Sequence, residues 1–191
     1  MPGVRQDHNG RPADIGHRDE GAGIRRRVEE HVSEIVVISG NPRPGSRTRG
    51  LATSVAEEVA RRESAGPPIV LDLAEYGPAL LVPDDPGVAD GVATARAAQI
   101  LVVATPTYKG SYTGVLKVFL DHLPHQGLAG VVAVPVTVGA TPTQAAQSER
   151  HLRGLLVELG AEVRPGLAVP ESSLGDPDLA AGYVATLPVR A

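Results

Sequence analysis

The sequence has no cysteine among its 191 residues and few aromatic residues, which make up 3% of the chain. Disulfides, thiolate nucleophiles, thiolate metal sites and iron–sulfur clusters are therefore excluded. The formal net charge of −4 provides no broad basic surface to neutralise a nucleic-acid backbone, so no nucleic-acid partner is expected. No apolar run approaches the roughly 20 residues that cross a bilayer, and the start lacks a signal-peptide core. We expect a cytoplasmic protein without membrane association.

The length fits one domain with an additional segment. Residues 1–32 are rich in charged side chains and poor in large apolar ones. Such a segment buries too little apolar surface to offset the entropy cost of ordering it. We therefore predict a flexible N-terminal arm over residues 1–32 and a folded domain over residues 33–191.

From residue 34 onward, short apolar runs alternate with longer amphipathic ones, as in repeated β-α units around a parallel sheet. Right-handed crossovers favour the strand order 2-1-3-4-5, with helices on both faces. Pro135 lies inside the fourth strand and indicates either a bulge or a misplaced boundary. Strands are predicted over 34–39, 68–73, 100–105, 131–138 and 162–169, helices over 47–63, 88–98, 113–123 and 143–159, and a surface loop over 77–91.

The first strand is followed by GNPRPGSRT, residues 40–48, and then by a helix. The free N–H groups and the dipole of a helix N-terminus favour a phosphate, and hydroxyl and guanidinium side chains in the same loop add donors. The segment misses the Walker pattern at Ser46 and Arg47 and lacks the dinucleotide glycine fingerprint. It therefore favours a monophosphate, and an ordinary capped turn is the structural alternative.

A second segment, TPTYKGSYTGVLKVFLDHLP, follows the third strand over residues 105–124. It holds both lysines of the chain, Lys109 and Lys117, and its only phenylalanine, Phe119. The apolar residues after Thr113 fall on one helical face and predict a mostly structural helix. In a sheet of this order, loops 40–48, 106–112 and 139–143 meet at the carboxyl ends of the strands, where ligands bind.

These two segments, in this order, resemble the signatures of the flavodoxin-like NAD(P)H-dependent FMN reductase family. Within the family, the chain is most similar to the small reductases that supply reduced FMN to two-component monooxygenases. The resemblance covers residues 33–170 and includes Pro135. It implies an α/β flavodoxin-like three-layer sandwich that binds FMN, uses NAD(P)H, forms a homodimer or homotetramer and has a partner monooxygenase. The chain departs from the pattern at Asn41, where serine is frequent, and in its short, Pro-rich stretch after residue 170, which argues against the usual C-terminal helix.

The resemblance also implies a set of cofactor-binding residues and a mechanism in which a hydride passes from nicotinamide to N5 of FMN. No protein acid, base or nucleophile is required, because flavins carry their own redox chemistry. Backbone N–H groups of residues 109–111 would stabilise charge on the ring, and Lys109 either assists or is simply solvated. The implied cofactor-binding residues are Ser39, Asn41, Arg43, Ser46, Arg47, Thr48, Pro106, Thr107, Tyr108, Lys109, Gly110, Ser111, Gly139 and Ala140.

Three other functions fit the same scaffold. A quinone or azo reductase would keep FMN tightly bound, a flavodoxin-type electron carrier would lack its own NAD(P)H site, and a non-enzymatic relative would only bind nucleotide. No metal site is expected, because His122, His125 and His151 have no partner at a convincing ligand spacing.

Overall fold

A parallel β-sheet with helices on both faces forms the described part of the chain. The computed structural model describes residues 35–188, so the arm predicted for residues 1–32 lies outside the described residues. The strands are β1 (Ile35–Ser39), β2 (Ile69–Asp72), β3 (Ile100–Pro106), β4 (Val132–Gly139), β5 (Glu162–Val163) and β6 (Leu167–Pro170). The helices are α1 (Arg47–Glu63), α2 (Leu73–Tyr76), α3 (Pro86–Ala97), α4 (Gly114–Asp121), α5 (Pro142–Glu158) and α6 (Leu179–Thr186), with 3₁₀ turns at Gly77–Leu81 and Glu171–Gly175.

The strand order is β2-β1-β3-β4-β5, all pairs are parallel, and β6 also pairs with β4. This confirms the predicted order and the flavodoxin-like α/β class. Val37 lies opposite Val70 on one side and Val102 on the other, so β1 is central. The switch in strand order falls between β1 and β3, and their carboxyl ends are where a ligand is expected.

Alternate residues of the central strands pack on opposite faces of the sheet. Ile35 and Val37 of β1 join α1 and α6 in one buried cluster. Val36 and Ile38 join α3, α4 and α5 in the other. Both clusters are mainly aliphatic, as the composition predicts, and they bury β1, β3 and β4 on both faces.

Pro135 interrupts neither β4 nor its pairing with β3, where it lies opposite Val103. In a parallel strand, alternate residues direct their backbone groups to opposite neighbours. The Ala133 carbonyl accepts from Arg164, so the missing N–H of Pro135 faces the same side, next to Gly166 in the break between β5 and β6. The proline therefore removes a donor where no strand is present to accept it, and no bulge forms.

The predicted fifth strand over 162–169 is corrected to two short strands separated by Arg164, Pro165 and Gly166. The Tyr183 hydroxyl of α6 donates to the Pro165 carbonyl at 2.6 Å and anchors this break. Burial raises the pKa of Tyr183, so the donor proton is retained. The break shifts the chain so that β6, rather than β5, continues alongside the carboxyl half of β4.

Two further expectations are corrected. The predicted surface loop over 77–91 contains a 3₁₀ turn and the start of α3, whose N-cap Asp85 accepts from Val88 N–H at 3.0 Å. The Pro-rich stretch after residue 170 does form a helix, α6. Arg62 of α1 donates to the carbonyls of Val184, Leu187 and Pro188 at 2.7–3.0 Å. The Arg62 guanidinium thus binds three carbonyls at and just after the C-terminal end of α6, where a basic side chain is favoured.

None of the helices among residues 35–188 has the length and apolar character needed to cross a membrane.

The loop after β1 packs closely on its neighbours at Gly40, and a substitution there tests this packing. A Cβ built there lies 2.7 Å from the Leu116 Cβ and 3.1 Å from the Ala104 carbonyl oxygen. We expect Gly40→Ala to lower the free energy of unfolding by about 1–3 kcal/mol, because the core must shift. Gly50→Ala, in open space within α1, is the control and should raise it by about 0.5–1 kcal/mol. Urea unfolding measures both, and equal effects would contradict the close approach.

Candidate functional site

A cleft of about 410 Å³ opens at the carboxyl ends of β1 and β3. Its volume lies within the range of small-molecule sites. It is formed by the loop before α1, the loop after β3, the end of β4 and the 3₁₀ turn after β6. The lining residues are Asn41, Arg43, Pro44, Gly45, Ser46, Arg47, Thr48, Pro106, Tyr108, Val138, Glu171 and Leu174.

The loop before α1 is held open by its own side chains. Ser46 is the N-cap of α1, and its Oγ accepts from the Arg49 N–H at 3.2 Å. Asn41 accepts from the Arg43 N–H at 3.0 Å and donates to Thr48 Oγ1 at 3.4 Å. Because the hydroxyls of Ser46 and Thr48 act as acceptors in these bonds, their own protons are left to donate to an anion.

A buried carboxylate fixes this loop from behind. The Asp72 side chain, at the end of β2, is 1% exposed and lies 3.6 Å from Arg49 Nε. It accepts from the Gly45 N–H at 3.1 Å and the Ala74 N–H at 3.4 Å. Gly45 has φ +61°, a conformation that glycine adopts without strain. Asp72 therefore sets the loop's shape and neutralises one of its arginines.

Two other arginines of the loop reach the cleft itself. Arg47 begins α1 and pairs with Glu171 at 3.0 Å. Arg43 is exposed and has no ion-pair partner among residues 35–188. Together with the dipole and free N–H groups at the start of the 17-residue helix α1, these arginines give the cleft mouth the charge and the donors that an anion requires.

The loop after β3 is tied to the loop after β1 through Thr113. Its hydroxyl donates to the Gly40 carbonyl at 2.5 Å and accepts from the Leu116 N–H at 3.2 Å as the N-cap of α4. Its own N–H donates to Thr105 Oγ1 at 3.1 Å. One buried side chain thus connects both loops, although sequence reasoning treated it only as a helix start.

Residues 108–111 form a tight hairpin. The N–H groups of Tyr108 and Ser111 donate to each other's carbonyls at 2.9 and 3.2 Å. Lys109 and Gly110 at its tip have φ values of +53° and +84°. Two successive positive φ values are the signature of a type I′ turn. The Ser111 N–H is thereby occupied, which corrects the expectation that all three amides of residues 109–111 face a flavin.

Helix α5 supports this hairpin. His151 Nδ1 lies 3.1 Å from Ser111 Oγ, and the Gln147 amide lies beside Gly110. Sequence reasoning weighed His151 only as a metal ligand and did not connect it with the loop. No spacing in the sequence could have revealed the contact, because it joins residues 40 positions apart through the fold.

Half of the predicted cofactor-binding residues line the cleft: Asn41, Arg43, Ser46, Arg47, Thr48, Pro106 and Tyr108. The others do not line it, namely Ser39, Thr107, Lys109, Gly110, Ser111, Gly139 and Ala140. Gly139 is buried against the first turn of α5, where a Cβ would meet the Ala145 nitrogen at 2.6 Å, and Val138 lines the cleft in its place. Glu171 and Leu174 were missed, as was Asp72, which supports the loop.

Unsatisfied hydroxyls provide a test of whether a polar ligand fits here. Within residues 35–188, the buried side-chain oxygens without a hydrogen-bond partner belong to Ser39, Thr107 and Ser148. None of the three lines the cleft, so these hydroxyls give no argument for a bound ligand. The fit rests instead on the lining residues, which combine two guanidinium groups and the hydroxyls of Ser46 and Thr48 with apolar side chains. The donor set suits a phosphorylated, partly apolar ligand such as FMN.

No group of three or more metal-ligating side chains occurs in the described part of the chain.

The strand order, with a cleft at its switch point, is that of the flavodoxin-like class of α/β proteins. The sequence profile described as NADPH-dependent FMN reductase matches residues 33–173. An NADH-dependent FMN reductase, SfnF, from Pseudomonas putida is 32% identical over 139 residues, 70% of this chain and 75% of that protein. An NADPH-dependent FMN reductase from Escherichia coli K12 is 30% identical over 149 residues, 74% and 75% of the two chains.

Among solved structures, the apo form of an NADH:FMN oxidoreductase, EMOB, superposes with a TM-score of 0.70. It is 31% identical, and the match covers 82% of this chain and 90% of that one. The chain belongs to the NADPH-dependent FMN reductase family. It is therefore an oxidoreductase of the class that uses FMN and NAD(P)H, as the sequence resemblance predicted.

The Thr113 connection can be tested by removing its hydroxyl. Thr113→Val should lower the free energy of unfolding by about 2–3 kcal/mol, because it removes a helix cap and leaves the buried Gly40 carbonyl unpaired. Thr141→Val removes only the exposed N-cap bond of α5 to Gln144 and should cost about 1 kcal/mol. Chemical denaturation compares the two, and equal losses would show that the loop connection adds nothing beyond capping.

Proposed function

We propose that the cleft at the N-terminus of α1 binds FMN through its phosphate and presents the flavin to NADH or NADPH for reduction. The observation that carries the proposal is the convergence of Arg43, Arg47 and two donor hydroxyls on one helix N-terminus, in a member of an FMN reductase family. This arrangement suits one phosphate, whereas the loop lacks the lysine and second phosphate cradle of a nucleoside triphosphate site.

The phosphate would be held by Arg43, Ser46, Arg47 and Thr48. Pro106, Tyr108, Val138 and Leu174 offer the apolar surface that a ribityl chain and a flat ring require. Tyr108 is 44% exposed, more than a packed core tyrosine, and its ring can cover part of a bound flavin. As the resemblance implies, the proposal also places Ser39 beside the phosphate and Gly139 and Ala140 at the other edge of the ring.

When bound, FMN supplies the redox chemistry by accepting a hydride at N5. The chain's own residues fix the ligand and shape the site. The occupied Ser111 N–H leaves those of Lys109 and Gly110 as the hairpin donors for a developing negative charge, since neither bonds to another described residue. No acid or base is assigned, and Lys109 at the turn tip is placed to contribute charge alone.

The proposal also covers the location, the oligomeric state and the partner of the protein. We propose a cytoplasmic homodimer or homotetramer that releases reduced FMN to a partner monooxygenase, as the sequence resemblance implies. The alternative of a quinone or azo reductase predicts an FMN that stays bound while the acceptor exchanges. The open, solvent-facing position of Arg43 and Arg47 favours a flavin that exchanges.

Steady-state oxidation of NADH and NADPH with FMN, FAD, riboflavin or quinones as acceptors tests the function. We expect turnover that depends on added FMN and is slower with riboflavin, which lacks the phosphate. Both coenzymes are compared because relatives of each specificity match this chain. Turnover of quinones with a stoichiometric bound flavin would support the alternative, and no flavin reduction with either coenzyme would refute both.

Arg43 provides a direct test of phosphate binding. Arg43→Gln should weaken FMN binding about tenfold, the loss of a charge-assisted hydrogen bond of about 1.4 kcal/mol, and leave riboflavin binding unchanged. Arg96→Gln, an exposed arginine in the last turn of α3, is the matched control and should alter neither. Quenching of flavin fluorescence measures the affinities. An equal loss for riboflavin would place Arg43 elsewhere than at the phosphate.

A further inference from the structure

Two carboxylates pair with arginines in the first turn of α1, and the two carboxylates differ sharply in burial. The Asp72 side chain is 1% exposed and accepts from two backbone N–H groups besides facing Arg49. The Glu171 side chain is 58% exposed, and its single described partner is Arg47, which is 69% exposed. The first carboxylate is thus a fixed part of the loop, whereas the second can leave without losing other bonds.

The exposed ion pair between Arg47 and Glu171 lies at the cleft that is proposed to bind the ligand. Arg47 is the first residue of α1 and lines the cleft, as does Glu171. A carboxylate and a phosphate offer a guanidinium the same kind of charged oxygen acceptors. A phosphate at this helix N-terminus and the Glu171 carboxylate would compete for Arg47, and a solvated ion pair breaks at little cost.

We infer that Glu171 is a built-in competitor for the flavin phosphate and sets how tightly the cleft holds FMN. The inference rests on the proposed function, in which the cleft binds FMN. In the free protein the Glu171 carboxylate neutralises Arg47. When FMN binds, its phosphate takes the place of that carboxylate beside Arg47. FMN affinity is thereby held below the value that the arginines alone would give, which suits a flavin that must leave after reduction.

The test is Glu171→Gln, which keeps the side-chain shape and removes the charge. We expect FMN to bind about two- to fivefold more tightly, the range expected for an exposed ion pair, while riboflavin affinity stays the same. The gain should shrink when salt is raised from about 0.1 M to about 1 M, because screening weakens the competition. Fluorescence titration of both flavins against the apoprotein provides the readout, independently of turnover.

Two controls isolate the Arg47 interaction. Glu162→Gln removes another exposed carboxylate, which lies at the amino end of β5 and 3.1 Å from the half-buried Arg164, and should change neither flavin's affinity. In an Arg47→Gln background, Glu171→Gln should lose most of its effect, since the two changes act on one contact. An unchanged unfolding midpoint for Glu171→Gln excludes a change in the fold.

The outcomes separate this inference from the proposed function. Equal FMN affinities for the unmodified protein and Glu171→Gln would overturn the inference and leave FMN reduction intact. Equal tightening of FMN and riboflavin would also overturn it, because the effect would then act on the ring or on the 3₁₀ turn. Failure of the unmodified protein to bind FMN at all would overturn the proposed function and, with it, the inference.

Discussion

The site depends on one buried hydrogen bond, from the Thr113 hydroxyl to the Gly40 carbonyl. It joins the first residue after β1 to the residue that starts α4, and so fixes the two loops that flank the switch point of the sheet. The bond forms because Gly40 has no side chain. The backbone can then approach Leu116 and Ala104 to a distance that any Cβ would prevent. The shape of the cleft therefore follows from sheet topology and one absent methyl group.

Much of the fold follows from local signals along the chain. β1, β3 and α1 lie within one residue of their predicted limits, because two are continuous apolar strands and the third is preceded by Ser46, a good N-cap. The break within the predicted fifth strand was missed although Pro165 and Gly166 signal it, since the apolar pattern resumes immediately afterwards. The two α-helices at Leu73–Tyr76 and Leu179–Thr186 were missed because one is too short for periodicity and the other lies in a Pro-rich stretch whose support comes from Arg62.

The residues of the candidate site were likewise predicted only in part from the sequence. Residues that directly follow β1 and β3 were predicted because carboxyl ends of parallel strands meet at one edge. Asp72, the last residue of β2, and Glu171, the first residue after β6, also lie at carboxyl ends of strands, yet both were missed. Asp72 was read as the interior of a strand, and Glu171 follows β6, which was not recognised as separate from β5. Residues 106–112 were predicted as a loop at the ligand site, but not the hairpin at residues 108–111, whose turn is formed by the positive φ values of Lys109 and Gly110.

The charge balance of the loop links its stability to its chemistry. Arg43, Arg47 and Arg49 lie within seven residues, and three unpaired cations so close together would repel one another at the helix end where the dipole is also positive. Asp72 compensates one from inside the protein, where it can also hold the Gly45 N–H. A second buried carboxylate would neutralise Arg47 permanently, and Arg43 would then be the one arginine of the three left without a carboxylate partner, among the described residues, for a phosphate to bind. An exposed glutamate in the 3₁₀ turn after β6 solves this conflict, because it neutralises Arg47 while the cleft is free and yields it when an anion with more charge arrives.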